Sequence, residues 1–396
     1  MKIAGVIAEY HPFHSGHAWQ LRQLRAMGFD AVVCVMSAGA VQRGELELMP
    51  ARVRAGAALA GGADLVVALE APYACKSAEG FALAGVSLLE ALGCVDALCF
   101  GTEGADADAL EAVAAAMESE AFAAALRRHL DAGLPLAAAR AAAAEACAPG
   151  AKALLRRPNQ ILGVDYCRAL RRLGSAMRPL ALARVGAQHD EGAPAAAGAA
   201  YASASHLRAL ASAHGPRALA PYVPAECLAL YEEAWEKGQY LDARAFSAAA
   251  LSRLRAMQKE DFAAVRGAGE GLANRLWAAS CKAGSWGELI EAMKTKRYPT
   301  ARLRRLALDA VLGYTDALPA LPPYLRVLGA GEKGRAVLRE AAPRLPLGAG
   351  LAQLAKTGEG AALAARAHAA AADLAALCRR APTPCGEAYT GKFLRV

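Results

Sequence analysis

The 396-residue sequence contains no apolar run that approaches the ~20 residues of a membrane-spanning helix. Its N-terminal segment lacks the apolar length and the cleavage pattern of a secretory signal peptide. The ten cysteines are scattered, without a C-x-x-C pair or a neighbouring Cys/His ligand set. These absences argue against a disulfide framework and a zinc site. We expect a cytoplasmic protein that does not contact membranes and holds no metal through its own side chains.

The sequence also lacks the G-x-x-x-x-G-K-[ST] pattern, which excludes a P-loop enzyme. Aromatic residues make up 6% of the chain, and much of the 56% hydrophobic content is alanine. The alanine-rich stretches favour helices but indicate no function. The net charge of +8 is compatible with a nucleic-acid partner, provided that the excess charge is clustered.

Short apolar runs without polar alternation recur along the first half of the chain, as in strands buried on both faces of a parallel sheet. They predict strands at 2–8, 31–36, 64–69, 96–101 and 179–185, with helices at 17–28, 51–62 and 77–93. This alternation indicates an α/β fold with a Rossmann-like, doubly wound parallel sheet, which binds ligands at the carboxyl ends of its strands. A Gly/Ala/Pro-rich loop follows at 186–200, and the pattern is helical from about residue 225. We therefore predict an α/β domain at 1–215 and a mostly α-helical domain at 216–396.

Three histidines lie within seven positions in EYHPFHSGHAWQ, residues 9–20. The stretch joins the first predicted strand to the first predicted helix, where backbone N–H groups and the helix dipole favour anions. His14 and His17 belong to an H-x-G-H pattern and can donate hydrogen bonds to the same side, while Gly16 leaves room for a phosphate near the backbone. This arrangement suits adenylyl transfer, in which negative charge develops on the α-phosphate. The alternative is a polar turn made of capping and packing residues.

A second helix start, ASASHLR at 202–208, combines small hydroxyl residues with an arginine. Ser203 or Ser205 could cap the helix and donate to a phosphate, and Arg208 could neutralise its charge. A simple N-cap explains the same residues equally well.

Seven segments, in order along nearly the whole chain, resemble the bacterial tRNA(Met) cytidine acetate ligase family. They are GVIAEYHPFHSGH, VMSAGAVQRGE, GADLVVAL, FGTE, RPNQILGVDY, EGLANRL and MKTKRYPTARLRR. The resemblance implies an ATP-binding domain of the nucleotidyltransferase type with a helical, tRNA-binding extension. It also implies that acetate is activated to acetyl-adenylate with ATP, accompanied by Mg²⁺. The acetyl group would then pass to the wobble cytidine of elongator tRNA(Met), with no stable protein partner implied.

Carried over residue by residue, the resemblance implies an ATP site at the first strand–helix junction and at three later positions. The residues are Ile7, Ala8, Glu9, Tyr10, His11, Pro12, Phe13, His14, Ser15, Gly16, His17, Ala18, Trp19, Gln20, Gly101, Asn159 and Arg184. His14 and His17 would be catalytic, acting on the α-phosphate. Gly101 would leave room for the adenosine, Asn159 would contact its ribose or base, and Arg184 would reach a phosphate. A turn residue and a solvated charge are the alternatives for Asn159 and Arg184.

The sequence departs from the family pattern in three places. His11 and Ser15 stand where the family usually has asparagines. Ala51 stands where a lysine is usual, and Ala68–Glu70 replaces the usual ELP. The missing lysine bears on acetate activation more than on ATP binding, because the histidines and Arg184 remain.

The segment KTKRYPTARLRR, residues 294–305, contains six cationic residues and no acid. Such a cluster supplies phosphate contacts, and its tyrosine offers a stacking face for RNA. The predicted tRNA-binding residues are Lys294, Lys296, Arg297, Tyr298, Arg302 and Arg305. A second group could extend this surface; its members are Arg156, Arg157, Arg168, Arg171 and Arg172. The alternative for both is a solvated charged face.

Two other functions stay open. An adenylyltransferase acting on a small phosphate ester would use the same H-x-G-H pattern but would rarely need a helical half with a basic cluster. A non-catalytic RNA-binding protein that retains a nucleotide pocket is left open by Ala51. Pyrophosphate release from ATP and acetate separates the ligase from the RNA-binding protein, and tRNA-dependent use of acetate separates it from the adenylyltransferase.

Overall fold

The structure is a computed structural model, and it describes residues 1–104, 106–184 and 201–396. The strands are β1 (Ile3–Ala8), β2 (Ala31–Ala38), β3 (Ala40–Val41), β4 (Glu45–Leu46), β5 (Leu65–Glu70), β6 (Ala97–Thr102), β7 (Arg178–Ala183), β8 (Leu325–Ala330), β9 (Leu347–Gly348) and β10 (Leu394–Arg395). The predicted loop at 186–200 lies outside the described residues.

Helices connect these strands and make up most of the second half of the chain. They are α1 (Ser15–Ala26), α2 (Ala51–Ala60), α3 (Ala71–Ala74), α4 (Ala78–Leu92), α5 (Ala107–Ala116), α6 (Glu120–Asp131), α7 (Leu136–Cys147), α8 (Ala151–Leu154), α9 (Pro158–Arg172), α10 (Ala204–His214), α11 (Ala225–Glu236), α12 (Ala243–Ala256), α13 (Leu272–Lys282), α14 (Trp286–Met293), α15 (Thr300–Leu312), α16 (Glu332–Glu340), α17 (Leu351–Leu354), α18 (Glu359–Leu377) and α19 (Glu387–Thr390). Among the described residues, no helix has the length and apolar character needed to cross a membrane.

The main sheet has the order β10-β8-β5-β2-β1-β6-β7, with β9 paired to β8. Strands β5, β2, β1, β6 and β7 are parallel, whereas β8 runs antiparallel to β5. The chain leaves β1 toward β2 and β5, and later occupies the opposite side with β6 and β7. The strand order therefore reverses beside β1, where a doubly wound sheet opens a crevice for ligands. The predicted α/β fold class is confirmed.

Both faces of the sheet are covered, which explains why the strands lack polar alternation. All eight residues of β2 are buried. One face packs on α4, α5 and α9, and the other on α1, α2 and α11. A third apolar core lies among α12–α15 and includes Ala40 and Leu46 of the β3–β4 hairpin. The hairpin thus joins the sheet to the helical part of the chain.

The second half of the chain is mostly helical, as predicted, but it also returns to the sheet. Strand β8 pairs with β5 through partners such as Leu65 and Ala330, and β10 pairs with β8. These strands were not predicted, because their sheet partners lie far away in sequence. The division into domains at residue 215 stays a prediction.

Candidate functional site

The loop after β1 is held open by a buried guanidinium. Arg54 is fully buried; its Nη1 donates to the carbonyl of Glu9 at 2.6 Å and its Nε to that of Met49 at 3.1 Å. Its Nη2 forms an ion pair with Glu47. A buried arginine requires such a partner, because an uncompensated charge in the interior is costly. On the other side of the loop, the hydroxyl of Tyr231 donates to the carbonyl of Phe13 at 3.0 Å.

His14 and His17 lie together at the N-terminus of α1. Nδ1 of His14 accepts the backbone N–H of Gly16 at 3.1 Å, and Nδ1 of His17 accepts the backbone N–H of His14 at 3.3 Å. This reciprocal pattern is a capping box built from two imidazoles. The two rings stack with their centroids 3.8 Å apart. Both predicted catalytic residues are therefore fixed by the backbone of the helix that they begin.

The two imidazoles are neutral at neutral pH. Burial, and then the charge of the nearby Arg184 guanidinium, lower the pKa of His14 to about 3. Burial, then His14 and Arg184, hold the pKa of His17 well below its ordinary value. Because Nδ1 of each ring accepts a hydrogen bond, we assign the proton of each neutral ring to Nε2. The pair can therefore present two N–H donors to the oxygens of an anion.

Gly16 makes room for the imidazole of His14. A Cβ atom at Gly16 would lie 2.9 Å from Cε1 and 3.1 Å from Nδ1 of His14. Its backbone N–H is also bonded to His14. The ring of His14 thus occupies the space beside Gly16, and a contact between this backbone and a phosphate stays a prediction.

Gly101 and Arg184 lie side by side at the carboxyl ends of β6 and β7. A Cβ atom at Gly101 would lie 3.1 Å from Cγ of Arg184. The missing side chain therefore gives room to Arg184, whose charge acts on both imidazoles. The structure brings Gly101, Arg184, His14 and His17 to one place, although their contacts with a nucleotide stay predictions.

Asn159 lies in the first turn of α9 and faces Glu103, which the sequence did not single out. The side-chain amide of Asn159 donates to Oε1 of Glu103, and its backbone N–H reaches the same atom at 3.3 Å. Arg157 donates to the backbone carbonyl of Glu103 at 2.7 Å. Oε2 of Glu103 is buried and has no hydrogen bond within the described part of the chain. The FGTE segment is the sequence signal for this carboxylate.

The second helix start lies beside the first. Ser203 is the N-cap of α10, since its Oγ accepts the backbone N–H of His206 at 3.3 Å and lies 3.1 Å from Oγ of Ser205. Arg208 donates to the carbonyl of His11 at 2.9 Å. The capping alternative thus accounts for Ser203, and Arg208 supports the loop after β1. A role of these three residues in phosphate binding stays a prediction.

His11 faces away from the imidazole pair. Its Nε2 accepts the backbone N–H of Leu48 at 2.7 Å, and its Nδ1 is buried without a hydrogen bond to any described residue. Burial holds its pKa well below the ordinary value, followed by the charges of Arg208 and Arg54. His11 therefore joins two loops as a neutral side chain.

Other residues of the predicted ATP segment form the apolar support of the site. Ile7, Tyr10, Phe13 and Ala18 are buried in the hydrophobic cores. The Tyr10 ring meets the His17 ring edge-on, with centroids 4.8 Å apart. These side chains support the imidazole rings from the side of the hydrophobic core.

The comparisons with known proteins agree with this geometry. Residues 1–379 match the family model of the HIGH nucleotidyl transferases. The tRNA(Met) cytidine acetate ligase of Acetivibrio thermocellus is 34% identical over 357 residues, which are 86% of this chain and 85% of the relative. That of Syntrophotalea carbinolica is 36% identical over 374 residues, which are 89% of this chain and 86% of the relative. The chain belongs to the tRNA(Met) cytidine acetate ligase family.

Solved structures of this ligase family have the same fold. Two crystal structures of Thermotoga maritima TmcAL match over 100% of both chains at 26% sequence identity. The TM-score is 0.89 for the form bound with alpha-thio ATP and 0.90 for an apo form.

Residues 51 and 70, where the sequence departs from the ligase family pattern, lie beyond Arg54 as seen from the loop after β1. Ala51 begins α2, and its backbone N–H donates to Oε1 of Glu47 at 2.9 Å. Glu70 is buried at the end of β5, where it accepts a hydrogen bond from Tyr324 and forms a 3.1 Å ion pair with Arg326. The carboxylate that departs from the family pattern is thus paired with a cation on β8.

The predicted basic cluster is partly neutralised by Glu270, which is distant in sequence. The hydroxyl of Tyr298 donates to Glu270, and Arg297 and Arg302 lie 3.5 and 3.8 Å from the same carboxylate. The Arg302 guanidinium also lies 4.5 Å from the centroid of the Tyr298 ring. The segment itself contains no acid, but the fold brings the carboxylate of Glu270 to it. Lys296 is exposed and has no ion pair within the described residues.

The basic cluster is connected to the loop after β1, which is the predicted ATP loop, through the β3–β4 hairpin. Arg305 donates to the carbonyl of Gln42 at 3.0 Å, and the backbone N–H of Gln42 donates to Oε1 of Glu9 at 2.7 Å. Arg304 pairs with Glu45 at 2.7 Å. Helix α15 therefore connects the predicted tRNA surface to the end of β1.

The second arginine group is less available than predicted. Arg171 and Arg172 each form an ion pair at 2.7 Å with a neighbouring carboxylate. Arg168 is buried against Asp165 at 3.3 Å. These three residues stabilise α9 and its neighbours rather than extend a free basic surface.

Proposed function

We propose that this chain is a tRNA(Met) cytidine acetate ligase that activates acetate with ATP and acetylates the wobble cytidine of elongator tRNA(Met). The observation that carries the proposal is the stacked pair of neutral imidazoles at the N-terminus of α1, in a chain whose relatives are named for this activity. ATP occupies the crevice at the carboxyl end of β1 in this proposal, and its triphosphate lies near His14, His17 and Arg184.

In the first step, an oxygen of acetate attacks the α-phosphorus of ATP. A phosphorus–oxygen bond forms to acetate, the bond to pyrophosphate breaks, and charge develops on the non-bridging oxygens. The Nε2–H groups of His14 and His17 donate to these oxygens, and Arg184 supplies a full positive charge. A carboxylate nucleophile needs no base, which is consistent with two imidazoles that stay neutral.

In the second step, the exocyclic amine of the cytidine attacks the acetyl carbon. The carbon–nitrogen bond forms, AMP leaves, and the amine loses one proton, so the product is N4-acetylcytidine. Phosphates of the tRNA are contacted by Lys294, Lys296, Arg297, Arg302 and Arg305, with Tyr298 as a stacking face. These contacts give affinity, and α15 and the hairpin connect them to the ATP loop.

Mg²⁺ enters the proposal as part of the ATP substrate. Within the described ranges, no group of three or more His, Cys, Asp or Glu side chains could hold a metal ion. The proposal also includes a cytoplasmic location, because ATP, acetate and tRNA meet there.

The test is incubation with ATP, labelled acetate and total tRNA, followed by nucleoside analysis. We expect labelled N4-acetylcytidine and stoichiometric pyrophosphate. Transfer of AMP to a phosphate ester without tRNA would indicate the adenylyltransferase instead. ATP and tRNA binding without any acetylated cytidine would indicate the non-catalytic RNA-binding protein.

A matched pair of histidine variants tests the imidazole assignment. His17→Ala removes one donor, which we expect to lower turnover by about 10²- to 10³-fold while tRNA affinity changes less than about twofold. His214→Ala, at the exposed end of α10, is the control and should leave both unchanged. Wild-type turnover by His17→Ala would contradict the proposed role of the pair.

A further inference from the structure

A second cavity lies between β8, α18, α19 and the start of α2, and we call it the β8 cavity. It encloses about 650 Å³ of empty space, part of which is open to solvent. Glu47 forms part of its wall, and the ion pair of Glu47 with Arg54 lies between this wall and the loop after β1. The β8 cavity is therefore close to the imidazole site but has walls of its own.

The wall of the β8 cavity carries more positive than negative charge. Its cations are Arg52, Arg326, Arg379 and Lys392, and its carboxylates are Glu47 and Glu387. Each carboxylate already has an arginine partner, Arg54 for Glu47 and Arg379 for Glu387. A net positive charge would therefore attract an anion inside the cavity, and no unpaired carboxylate of the wall would repel it.

Arg326 and Arg379 are the two buried cations of this wall, and Arg379 is already paired with Glu387. The side chain of Arg326 is only 9% exposed, and its Nη1 donates to Glu70 at 3.1 Å. No hydrogen bond to a described residue uses its Nε or Nη2. Those two N–H groups of a guanidinium form a fork that matches the two oxygens of a carboxylate.

His368 adds a buried donor to the same wall. The residue is 3% exposed, and its Nδ1 accepts the backbone N–H of Ala71 at 3.4 Å. Burial, and then the charge of Arg326, hold its pKa well below the ordinary value, so the ring is neutral and carries its proton on Nε2. His368 lines the cavity, and no hydrogen bond joins that atom to a described residue. A ligand oxygen in the cavity would satisfy it.

The remaining wall is apolar, with Val327, Leu328 and Phe393 among its side chains. Ala51 also lines it, where a longer side chain would extend into the empty space. We propose that the β8 cavity binds a small carboxylic acid anion with a short apolar chain, whose carboxylate contacts Arg326 and His368. This site is separate from the imidazole pair.

The probe is ¹³C-labelled butyrate, titrated into the full chain while a non-hydrolysable ATP analogue saturates the first site. We expect one saturable butyrate site per chain, with analogue affinity unchanged by butyrate. Displacement of butyrate by the analogue would place it in the nucleotide site and overturn the inference. Absence of saturation, or inorganic phosphate binding as tightly at the same site, would also overturn it.

Three variants assign the site to its residues. Ala51→Leu fills the cavity without changing charge, and Arg326→Met removes the fork; we expect each to weaken butyrate binding about tenfold or more. Arg344→Met is the matched control, because Arg344 pairs with Glu90 and is largely exposed. Ala51→Leu does not disturb the Glu70 pair, so it remains informative if Arg326→Met is unstable. Unchanged butyrate affinity in Ala51→Leu would contradict the assignment.

Discussion

The neutral state of His14 has a measurable consequence for stability in mild acid. The pKa of an unfolded histidine is about 6.5, whereas burial lowers that of His14 to about 3 in the fold. As the pH falls below the unfolded value, the unfolded chain takes up a proton that the folded chain does not, so the free energy of unfolding decreases. Between about pH 7.5 and about pH 5, this one group costs about 2 kcal/mol, and its effect is complete only near the folded pKa.

The variant His14→Asn isolates this contribution. Asparagine is a good N-cap and keeps an acceptor for the N–H of Gly16, but it does not titrate. We expect urea unfolding to show that the variant loses about 2 kcal/mol less than the wild type between the two pH values. The other buried histidines are present in both proteins and contribute to both declines. If the wild type and His14→Asn lost the same free energy of unfolding between the two pH values, within about 0.5 kcal/mol, the result would refute a strongly lowered pKa for His14.

Three further variants test other contacts. Gly101→Ala places a methyl group against the side chain of Arg184, so we expect the KM for ATP to rise about tenfold in steady-state assays while thermal stability stays near that of the wild type. Glu270→Gln removes the carboxylate shared by Tyr298 and its neighbouring arginines, so tRNA should bind more tightly, with a salt dependence steeper by up to about one unit of slope. Arg54→Met leaves a carboxylate buried without its partner, and urea unfolding should show a loss of about 3–5 kcal/mol. A wild-type KM for ATP in Gly101→Ala would contradict the first contact. A wild-type salt dependence in Glu270→Gln would contradict the second, and a wild-type free energy of unfolding in Arg54→Met would contradict the third.

The central strands were predictable because the residues of each strand are enough to identify it, without knowledge of its partners. Strand β2 was predicted at 31–36 and observed at Ala31–Ala38, and β6 was predicted at 96–101 and observed at Ala97–Thr102. Each is a continuous apolar run, which is what burial on both faces requires. Strand β8 is as long as β6 but carries a cation, Arg326, as its second residue, and β3, β4, β9 and β10 have two residues each. Such segments have no periodicity, and only their distant partners make them strands.

The candidate site was predictable where its residues are adjacent in sequence. The imidazole pair follows from spacing alone, because a helix start brings residues 14 and 17 to one side. Glu47, Glu103 and Glu270 were not predicted, since each acts through a partner that only the tertiary fold supplies. The packing of the His14 ring against Gly16 was not predicted either, because it depends on the conformation of the His14 side chain.

The sharing of one sheet by both halves of the chain limits how the protein can be divided. A fragment that ends at residue 215 would lack β8 and expose the edge of β5, whose six residues are all buried in the intact chain. An uncovered apolar edge is a template for intermolecular strand pairing. We therefore expect a chain truncated at that position to aggregate, because strand β8 would no longer cover this edge.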